Sequence, residues 1–299
     1  DVIMGFGKIQ PGKKVEVTDA DGKKTVYEGK NIMIATGARA RALPNIPIDG
    51  EKIIEYRKAM SLEKRPDSMV VIGSGAIGVE FAYVYAAMGT KVTIVEFLPN
   101  IVPVEDEDVS KELAKQYKKM GIEILTSSSV ESVDTKGKGC KVSIKTPTGN
   151  TEIQCDIVLS AAGVICNLEN IGLEEVGIIV DKGRIPVNAW YETNMPGYYA
   201  IGDVTPGPAL AHVASAEGII CVEKIAGHKT EALDYSNIPG CTYCTPEIAS
   251  VGMTEKKAKE AGYDIKVGKF PFVASGKATA AGARDGFVKV IYDAKYGEL

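Results

Sequence analysis

Two segments of this chain share one pattern of apolar and polar positions. Each has two short alternating runs separated by a turn, followed by an apolar run that stops at a glycine. The first segment spans residues 15–37 with its turn at Asp21-Gly22, and the second spans residues 142–163 with its turn at Thr148-Gly149. Alternation around a polar turn is typical of a β-hairpin, and an apolar run of this length is typical of a buried strand. The pattern therefore predicts two copies of a hairpin followed by a strand.

Between the two copies, apolar strand patterns alternate with helical ones. The predicted strands are residues 69–72, 91–96 and 122–126, and the predicted helices are residues 76–88 and 106–120. Glycines end both helices, as is common at helix C-termini. Strands that alternate with helices predict right-handed crossovers and a parallel sheet. This stretch and the second hairpin together predict one complete α/β unit.

The first hairpin has no such stretch before it, because the chain begins at Asp1. We therefore expect the natural protein to begin upstream, and a second nucleotide domain to have lost its first half here. Residues 40–67 read as a linker with a helical stretch at 55–62. Beyond the second hairpin, a strand ends at Gly202-Asp203, a helix covers 209–226, and an α+β section follows from residue 236.

Composition narrows the class of protein. Hydrophobic residues make up 45% of the chain and charged residues 25%, which is typical of a globular protein. The net charge of −4 without a long basic run argues against nucleic acid as the main partner. No apolar run reaches the roughly 18 residues that a membrane span needs. Six scattered cysteines fit a reducing compartment, so we predict a cytoplasmic protein.

A glycine-rich loop follows the predicted strand 69–72 and opens the predicted helix 76–88. Gly73, Gly75 and Gly78 have the spacing of a dinucleotide-binding fingerprint, in the strand–loop–helix context that it requires. The first glycine permits a tight turn, the second lets the backbone approach a pyrophosphate, and the third lets helix and strand pack closely. Free amides at the helix N-terminus would bind the phosphates. A purely structural turn is the alternative.

Glu96 ends the next predicted strand, at about the spacing expected of the acidic residue that binds a ribose. Its carboxylate would accept hydrogen bonds from the ribose hydroxyls of NAD and would repel the 2′-phosphate of NADP. No arginine follows closely to reverse this preference. The sequence therefore predicts NAD, with a solvated glutamate as the alternative.

Asp203 follows Gly202 at the end of a predicted strand, where side chains of a parallel sheet face the ligand crevice. It could bind a sugar or polyol hydroxyl or hold the turn, and the residues alone leave both open. The two histidines are His212, at a helix start, and His228, at a helix end. We favour a backbone role for His212 near a cofactor over general-base catalysis, because no partner carboxylate is evident. We expect His228 to be solvated.

Cys241 and Cys244 form a Cys-x-x-Cys pair. A metal site needs about four ligands, and no second pair with histidines lies nearby. Redox pairs occupy helix starts, where the dipole lowers the thiol pKa, whereas this pair lies on or before a predicted strand. We interpret both residues as structural thiols, with redox use as the alternative, and we predict no metal site.

Taken together, these features resemble the flavin-dependent pyridine nucleotide–disulfide oxidoreductases over nearly all of the chain and in that family's order. The resemblance is greatest to the branch that oxidises dihydrolipoyl groups. The segments that carry it are Gly5-Phe-Gly-Lys8, Ile34-Ala-Thr-Gly37, Val70-Val-Ile-Gly-Ser-Gly-Ala-Ile-Gly-Val-Glu80, Val92-Thr-Ile-Val-Glu-Phe97, Gly183-Arg-Ile-Pro-Val-Asn188, Tyr199-Ala-Ile-Gly-Asp-Val204, Leu210-Ala-His212, Glu217-Gly218 and Pro246-Glu247.

The resemblance implies two cofactors, NAD and FAD, and it suggests residues for each. The residues that correspond to NAD contacts are Gly73, Ser74, Gly75, Ala76, Ile77, Gly78, Val79, Glu80, Glu96, Val130 and Gly163. Those that correspond to FAD contacts are Gly7, Thr36, Gly37 and Ala38 at the adenine half, Asp203 at the ribityl chain, and Ala209, Leu210, Ala211 and His212 beside the flavin ring. One departure is Val164, which follows Gly163 where the family often has an arginine.

The implied fold is α/β, with three-layer Rossmann-like FAD and NAD domains and part of a C-terminal α+β dimerisation domain. Residues 1–40 correspond to the C-terminal part of the FAD domain, and residues 41–165 to an inserted NAD domain. Residues 166–235 correspond to the central continuation of the FAD domain, and residues 236–299 to a truncated dimerisation domain.

The resemblance also implies a reaction. A dihydrolipoyl dithiol would reduce an enzyme disulfide and then FAD, and hydride would pass to NAD. The chain lacks the first FAD loop, the Cys-x4-Cys redox pair and the C-terminal His-Glu base of that family. We therefore expect this chain to be a fragment that lacks both terminal parts of the enzyme and the catalytic residues. On its own, the fragment should be inactive and should bind FAD poorly. The implied partners are a second copy in a homodimer and the lipoyl domain of a 2-oxo acid dehydrogenase or glycine cleavage complex.

Two other functions stay open. One is a sibling flavoenzyme of the transhydrogenase, glutathione reductase or mercuric reductase type, although Glu96 argues against the NADPH users among them. The other is a non-catalytic module for NAD binding and dimerisation. The first hairpin argues against such a module, because half a Rossmann domain leaves a sheet edge and an apolar face uncovered.

Overall fold

The computed structural model describes residues 1–299. The chain forms two compact units, each built from two stretches of sequence. Unit 1 comprises residues 1–39 and 164–238, and unit 2 comprises residues 40–163 and 239–299. No helix has the length and apolar character needed to cross a membrane.

The chain contains the following strands and helices. The strands are β1 (Phe6–Gln10), β2 (Lys14–Thr18), β3 (Lys24–Glu28), β4 (Ile32–Ile34), β5 (Ala38–Ala40), β6 (Ile53–Ile54), β7 (Ser68–Ile72), β8 (Lys91–Val95), β9 (Glu123–Leu125), β10 (Ser129–Asp134), β11 (Cys140–Thr146), β12 (Gly149–Cys155), β13 (Ile157–Ser160), β14 (Val164–Cys166), β15 (Tyr198–Ala200), β16 (Gly240–Thr242), β17 (Ile248–Ser250), β18 (Ile265–Pro271) and β19 (Phe287–Asp293). The α-helices are α1 (Tyr56–Ala59), α2 (Ala76–Ala87), α3 (Glu107–Lys119), α4 (Ala211–Ile225), α5 (Glu255–Glu260) and α6 (Gly276–Ala280).

Unit 2 contains a five-stranded parallel sheet in the order β6-β13-β7-β8-β9. The side chains of β7 alternate between the two faces of this sheet. Met69 and Val71 pack in a cluster with residues of α2 and α3, whereas Val70 and Ile72 pack in a cluster with residues of β11 and β12. The sheet therefore lies between a helical layer and an antiparallel layer, which confirms the predicted three-layer α/β fold.

Helix α3 shows why this stretch folds locally as predicted. Asp106 precedes the helix, and its carboxylate accepts a hydrogen bond from the N–H of Asp108 at 3.0 Å. Acidic residues in the first turn and Lys118 and Lys119 in the last turn complement the helix dipole. Gly121 then takes a left-handed conformation with φ +82°, which ends the helix.

The antiparallel layer of unit 2 has three strands, in the order β10-β11-β12. The predicted hairpin is β11 and β12, with Cys140 paired to Cys155 at one end and Thr146 paired to Gly149 at the other. The turn therefore falls at Pro147 and Thr148, one residue earlier than predicted, because Gly149 already belongs to the ladder. Strand β10 was not predicted.

Unit 1 contains an equivalent arrangement. Strands β1, β2 and β3 form an antiparallel sheet, and β4 follows and pairs in parallel with β15. Both copies end at a glycine in a left-handed conformation, Gly37 at φ +67° and Gly163 at φ +99°. The repeat seen in the sequence is therefore a structural repeat: a three-stranded antiparallel sheet and a strand that stops at a glycine.

Residues 239–299 add two antiparallel pairs to unit 2, β16 with β17 and β18 with β19. Lys289 on β19 has a side chain only 7% exposed. Its ammonium lies 2.8 Å from Asp106, 3.0 Å from Asp108 and 2.7 Å from Glu255. One cation therefore joins β19 to the first turns of α3 and α5.

Candidate functional site

The glycine-rich loop between β7 and α2 is shaped by close backbone contacts. A Cβ atom on Gly78 would lie 2.1 Å from the carbonyl oxygen of Gly73, and one on Gly73 would lie 2.6 Å from the carbonyl oxygen of Ala161. Both distances exclude a side chain. A Cβ on Gly75 would meet nothing within 4 Å. Gly75 therefore leaves open space at the mouth of the loop, where a ligand can approach the backbone.

The N-terminus of α2 presents unpaired amides to this open space. Gly75 precedes the helix in an extended conformation and supplies no side-chain cap. Within the helix, the first amide with a protein partner is that of Val79, which donates to the carbonyl of Gly75 at 3.1 Å. The N–H groups of Ala76, Ile77 and Gly78 make no hydrogen bond within the protein. Free amides at the positive end of a helix suit an anion such as a pyrophosphate.

Glu96 lies directly after β8 with only 7% of its surface exposed. One carboxylate oxygen, Oε2, accepts hydrogen bonds from the N–H of Ser74 at 2.8 Å and from its hydroxyl at 2.6 Å. The other, Oε1, accepts one from the N–H of Leu98 at 2.8 Å. A carboxylate has about four acceptor positions, so one remains for a ligand hydroxyl. The predicted NAD-binding carboxylate is thus held against the glycine loop.

The end of β13 lies on the opposite side of this loop. Strand β13 pairs with β7 on one edge and β8 pairs with it on the other. Gly163, which follows β13, is therefore separated from Glu96 by the strand that leads into the loop. Val130 lies in β10 and packs partly against the core of the antiparallel layer. The predicted NAD residues all belong to unit 2.

Glu80 has a partner that the sequence did not reveal. Its carboxylate accepts a hydrogen bond at 2.8 Å from the backbone N–H of Tyr243, a residue of the Cys-x-x-Cys segment. Tyr117 makes a second connection here, because its hydroxyl donates to the carbonyl of Val79 at 2.7 Å and contacts the thiol of Cys244. Burial, followed by the contact with Cys244, raises the pKa of Tyr117. The Cys-x-x-Cys segment therefore packs against the nucleotide helix.

The two thiols of that segment have different environments. Cys244 is 2% exposed and donates to the carbonyl of Pro246 at 3.2 Å, whereas Cys241 is exposed. Burial raises the pKa of the Cys244 thiol. A raised pKa makes a thiol a poor nucleophile, which agrees with a structural role. No group of three or more His, Cys, Asp or Glu side chains is arranged to bind a metal ion.

The predicted FAD residues all belong to unit 1. The segment Thr36–Ala38 is fixed by Asn167, whose N–H donates to the carbonyl of Gly37 at 2.9 Å and whose side-chain amide donates to the carbonyl of Thr36 at 3.0 Å. Gly7 lies in β1, where a Cβ would make only an ordinary contact with Val15 at 3.5 Å. The protein contacts around Gly7 therefore do not require a glycine.

Asp203 lies in a short 3-10 turn, Gly202–Val204, that follows β15. Other groups hold this turn, since the hydroxyl of Thr205 donates to the carbonyl of Gly202 at 2.8 Å and Glu217 accepts the N–H of Gly202 at 2.6 Å. Tyr235 donates to the second oxygen of Glu217 at 2.5 Å. The half-buried carboxylate of Asp203 makes no hydrogen bond within the protein, so it is available to a polyol hydroxyl.

The segment beyond this turn leads into α4. Ala209 and Leu210 precede the helix, Ala211 is its first residue, and His212 follows in the first turn. Leu210 provides no side-chain cap to this helix. The predicted segment from Ala209 to His212 therefore forms the start of α4, in the same unit as Asp203.

Comparison with known proteins shows one consistent relationship. The family model described as pyridine nucleotide-disulphide oxidoreductase matches residues 2–218, and the model for the dimerisation domain of that family matches residues 238–299. A dihydrolipoyl dehydrogenase of Zymomonas mobilis is 46% identical over 301 aligned positions, which cover 100% of this chain and 65% of the relative. One of Rhizobium etli is 49% identical and covers 91% of this chain and 57% of the relative.

Solved structures agree with these relatives. LpdA from Mycobacterium tuberculosis superposes with a TM-score of 0.90 at 29% identity, over 99% of this chain and 65% of its own. The HOCl-induced flavoprotein disulfide reductase RclA from Escherichia coli, as its Cu(II) complex, gives 0.90 at 28% identity, over 99% and 66%. The chain spans 56% to 65% of the length of the curated relatives that it matches. It belongs to the pyridine nucleotide-disulphide oxidoreductase family.

Proposed function

We propose that this chain is part of a dihydrolipoyl dehydrogenase that uses NAD as its electron acceptor and FAD as its internal carrier. The substrate comes from the relatives, since several named dihydrolipoyl dehydrogenase are 41% to 49% identical to this chain. The choice of NAD rests on Glu96, because two hydrogen bonds from Ser74 fix its carboxylate beside the open glycine loop.

In this proposal different residues of unit 2 bind different parts of the nucleotide. The free amides of Ala76, Ile77 and Gly78 bind the pyrophosphate, and Gly75 gives it room to approach. Glu96 accepts a hydrogen bond from the adenosine ribose and disfavours a 2′-phosphate by like-charge repulsion. Val79, Val130 and Gly163 would contact other parts of the nucleotide. Ligands of open parallel sheets occupy the crevice at the carboxyl ends of the strands, as this arrangement requires.

The flavin-binding residues have the complementary role. FAD, when bound, supplies two-electron transfer between a dithiol and a nicotinamide. Asp203 would accept hydrogen bonds from the ribityl hydroxyls, and Glu217 would keep the turn of Asp203 in position. The segment from Ala209 to His212 would lie beside the ring, while Gly7 and the segment Thr36–Ala38 would contact the adenine half. Glu80 would lie on the nicotinamide side.

The proposed reaction transfers two electrons from the dithiol to NAD+. A dihydrolipoyl dithiol loses two electrons and two protons as its disulfide forms, and NAD+ accepts a hydride while one proton is released. We further propose a cytoplasmic homodimer formed through residues 238–299, which match the dimerisation model. Its macromolecular substrate would be the lipoyl domain of a 2-oxo acid dehydrogenase or glycine cleavage complex.

The test is an assay of the protein expressed from its native gene. Dihydrolipoamide should drive reduction of NAD+ much faster than reduction of NADP+, and glutathione should not replace the dithiol. A matched Glu96→Ala variant should lose most of the NAD+ rate and much of the preference over NADP+. Strong activity with NADPH and glutathione disulfide, without turnover of dihydrolipoamide, would contradict the proposal and favour a sibling reductase.

A further inference from the structure

The guanidinium of Arg41 packs over Gly163, which follows β13. The Nε–H and one Nη2–H donate to the carbonyl oxygen of Ala162, with the Nε contact at 3.0 Å. The backbone N–H of Arg41 donates to the carbonyl of Gly163, also at 3.0 Å. A Cβ on Gly163 would lie 3.6 Å from Nη2 and 3.8 Å from the guanidinium carbon. The cation is therefore fixed by the backbone it covers.

This position is next to the glycine loop. A Cβ on Gly73 would lie 2.6 Å from the carbonyl oxygen of Ala161 and 3.4 Å from the Cα of Ala162. The end of β13, against which the guanidinium of Arg41 packs, therefore lies beside the first glycine of the loop. Strand β13 and strand β8 flank β7 on opposite edges, so Arg41 and Glu96 lie on opposite sides of the loop.

The charge of Arg41 is not neutralised by any acidic side chain. The guanidinium makes no ion pair, the two N–H groups of Nη1 make no hydrogen bond within the protein, and the side chain is exposed. The loop and the first turn of α2 contain no basic residue of their own. A guanidinium with free donors is well suited to bind phosphate oxygens.

We propose that Arg41 binds the phosphate on the nicotinamide side of NAD. This inference rests on the proposed NAD site, because it assigns one half of the dinucleotide to each side of the loop. Glu96 takes the adenosine ribose on the β8 side, so the second phosphate and the nicotinamide ribose extend towards β13. Arg41 then adds the cation that the uncharged loop lacks.

The assignment distinguishes ligands that contain the second phosphate from those that do not. NADH and ADP-ribose contain both phosphates, whereas AMP contains only the one on the adenosine side. The chain should therefore be titrated with all three ligands by calorimetry, as the wild type and as Arg41→Gln. Glutamine removes the charge but keeps an amide donor for Ala162. Arg284→Gln is the matched control, since Arg284 is exposed and makes no hydrogen bond or ion pair in the protein.

We expect Arg41→Gln to weaken NADH and ADP-ribose by about tenfold, the loss typical of one charged hydrogen bond, and to leave AMP unchanged. Arg41→Lys should recover part of the loss, because it keeps the charge without the planar fork. The affinity for NADH should also fall less steeply with added salt in Arg41→Gln. Arg284→Gln should match the wild type in every titration.

Two results would overturn the inference while leaving the NAD site intact. One is an unchanged affinity of Arg41→Gln for NADH and ADP-ribose. The other is an equal loss for AMP, because this would mean that Arg41 only supports the loop. A wild-type chain that binds none of the three ligands would instead contradict the NAD site itself, and with it the inference. A thermal unfolding curve of each variant shows whether the titrated protein is folded.

Discussion

Glu96 and Ser74 are joined by two hydrogen bonds, one from the backbone N–H of Ser74 at 2.8 Å and one from its hydroxyl at 2.6 Å. Both donors reach the same carboxylate oxygen, which is buried at the end of β8. This relationship ties the residue that we propose selects the nucleotide to the loop that we propose binds its phosphates. It also predicts how the site responds when either residue is changed.

Glu96→Ala should weaken NADH binding by about tenfold or more, because it removes a charged acceptor and leaves the N–H groups of Ser74 and Leu98 unpaired. The affinity for NADPH should fall less, since the repulsion of its 2′-phosphate is also lost. Fluorescence titration of both nucleotides measures the ratio. Ser74→Ala is the control, and it should have the smaller effect because the carboxylate remains. An unchanged ratio of the NADH and NADPH affinities in Glu96→Ala would show that Glu96 does not contact the ribose.

Gly75→Ala and Gly78→Ala should separate binding from stability. The new Cβ at position 75 meets nothing in the protein, so the free energy of unfolding should change by less than about 0.5 kcal/mol, while NADH binding should be lost. The new Cβ at position 78 would lie 2.1 Å from the carbonyl oxygen of Gly73, so this variant should lose about 1–3 kcal/mol of stability. Urea unfolding and NADH titration test both. Equal effects of the two substitutions on both measurements would refute this division of roles.

Lys289→Met should destabilise unit 2 by about 2 kcal/mol or more, because it leaves three carboxylates close together without their shared cation. Lys269→Met is the matched control. Its side chain is 44% exposed, and its ammonium lies 3.5 Å from one carboxylate, that of Asp108, and 3.9 Å from the ring centre of Phe287. The substitution should therefore cost less than about 1 kcal/mol. Urea unfolding of the two variants and the wild type gives the comparison. Equal losses would mean that burial of Lys289 adds nothing to its ion pairs.

The same cluster predicts a loss of stability at acidic pH. The hydrogen bond from Lys289 lowers the pKa of Asp108, and for Asp106 the bonds from Lys289 and two backbone amides outweigh burial, so its pKa is lowered too. A carboxyl group with a pKa lowered by folding stabilises the protein above its unfolded pKa of about 3.9, and this contribution disappears as the pH falls through the folded value. The free energy of unfolding should therefore decrease below about pH 4, and less steeply in Lys289→Met. Identical slopes would rule out this cluster as a source of the acid sensitivity.

Much of unit 2 could be predicted because its signals are local. The alternation in β7, the glycine stop after α2 and the charge pattern of α3 all lie within single elements, and all three elements form. The helix predicted at residues 55–62 is shorter, Tyr56–Ala59, because Glu55 caps its start and the hydroxyl of Ser61 binds back to the carbonyl of Arg57. Local side-chain bonds of this kind compete with helix continuation.

The contacts that complete the site could not be predicted, since they join distant parts of the sequence. Tyr243 and Glu80 are 163 residues apart, and Arg41 and Ala162 are 121 apart. Neither pair has a motif that connects its members. Strand β10 was missed for a similar reason, because the short, largely polar segment Ser129–Asp134 becomes a strand only by pairing with β11. The sequence identified the glycine loop and Glu96, but the fold was needed to find what surrounds them.

Above all, we propose that this chain forms a dinucleotide site that prefers NAD. The most direct measurement is an equilibrium titration of the chain with NADH and with NADPH under the same conditions. We expect saturable binding of NADH and binding of NADPH weaker by about tenfold or more, because the proposed site places Glu96 at the ribose 2′ position. Equal or tighter binding of NADPH would contradict the role of Glu96, and no binding of either nucleotide would contradict the site.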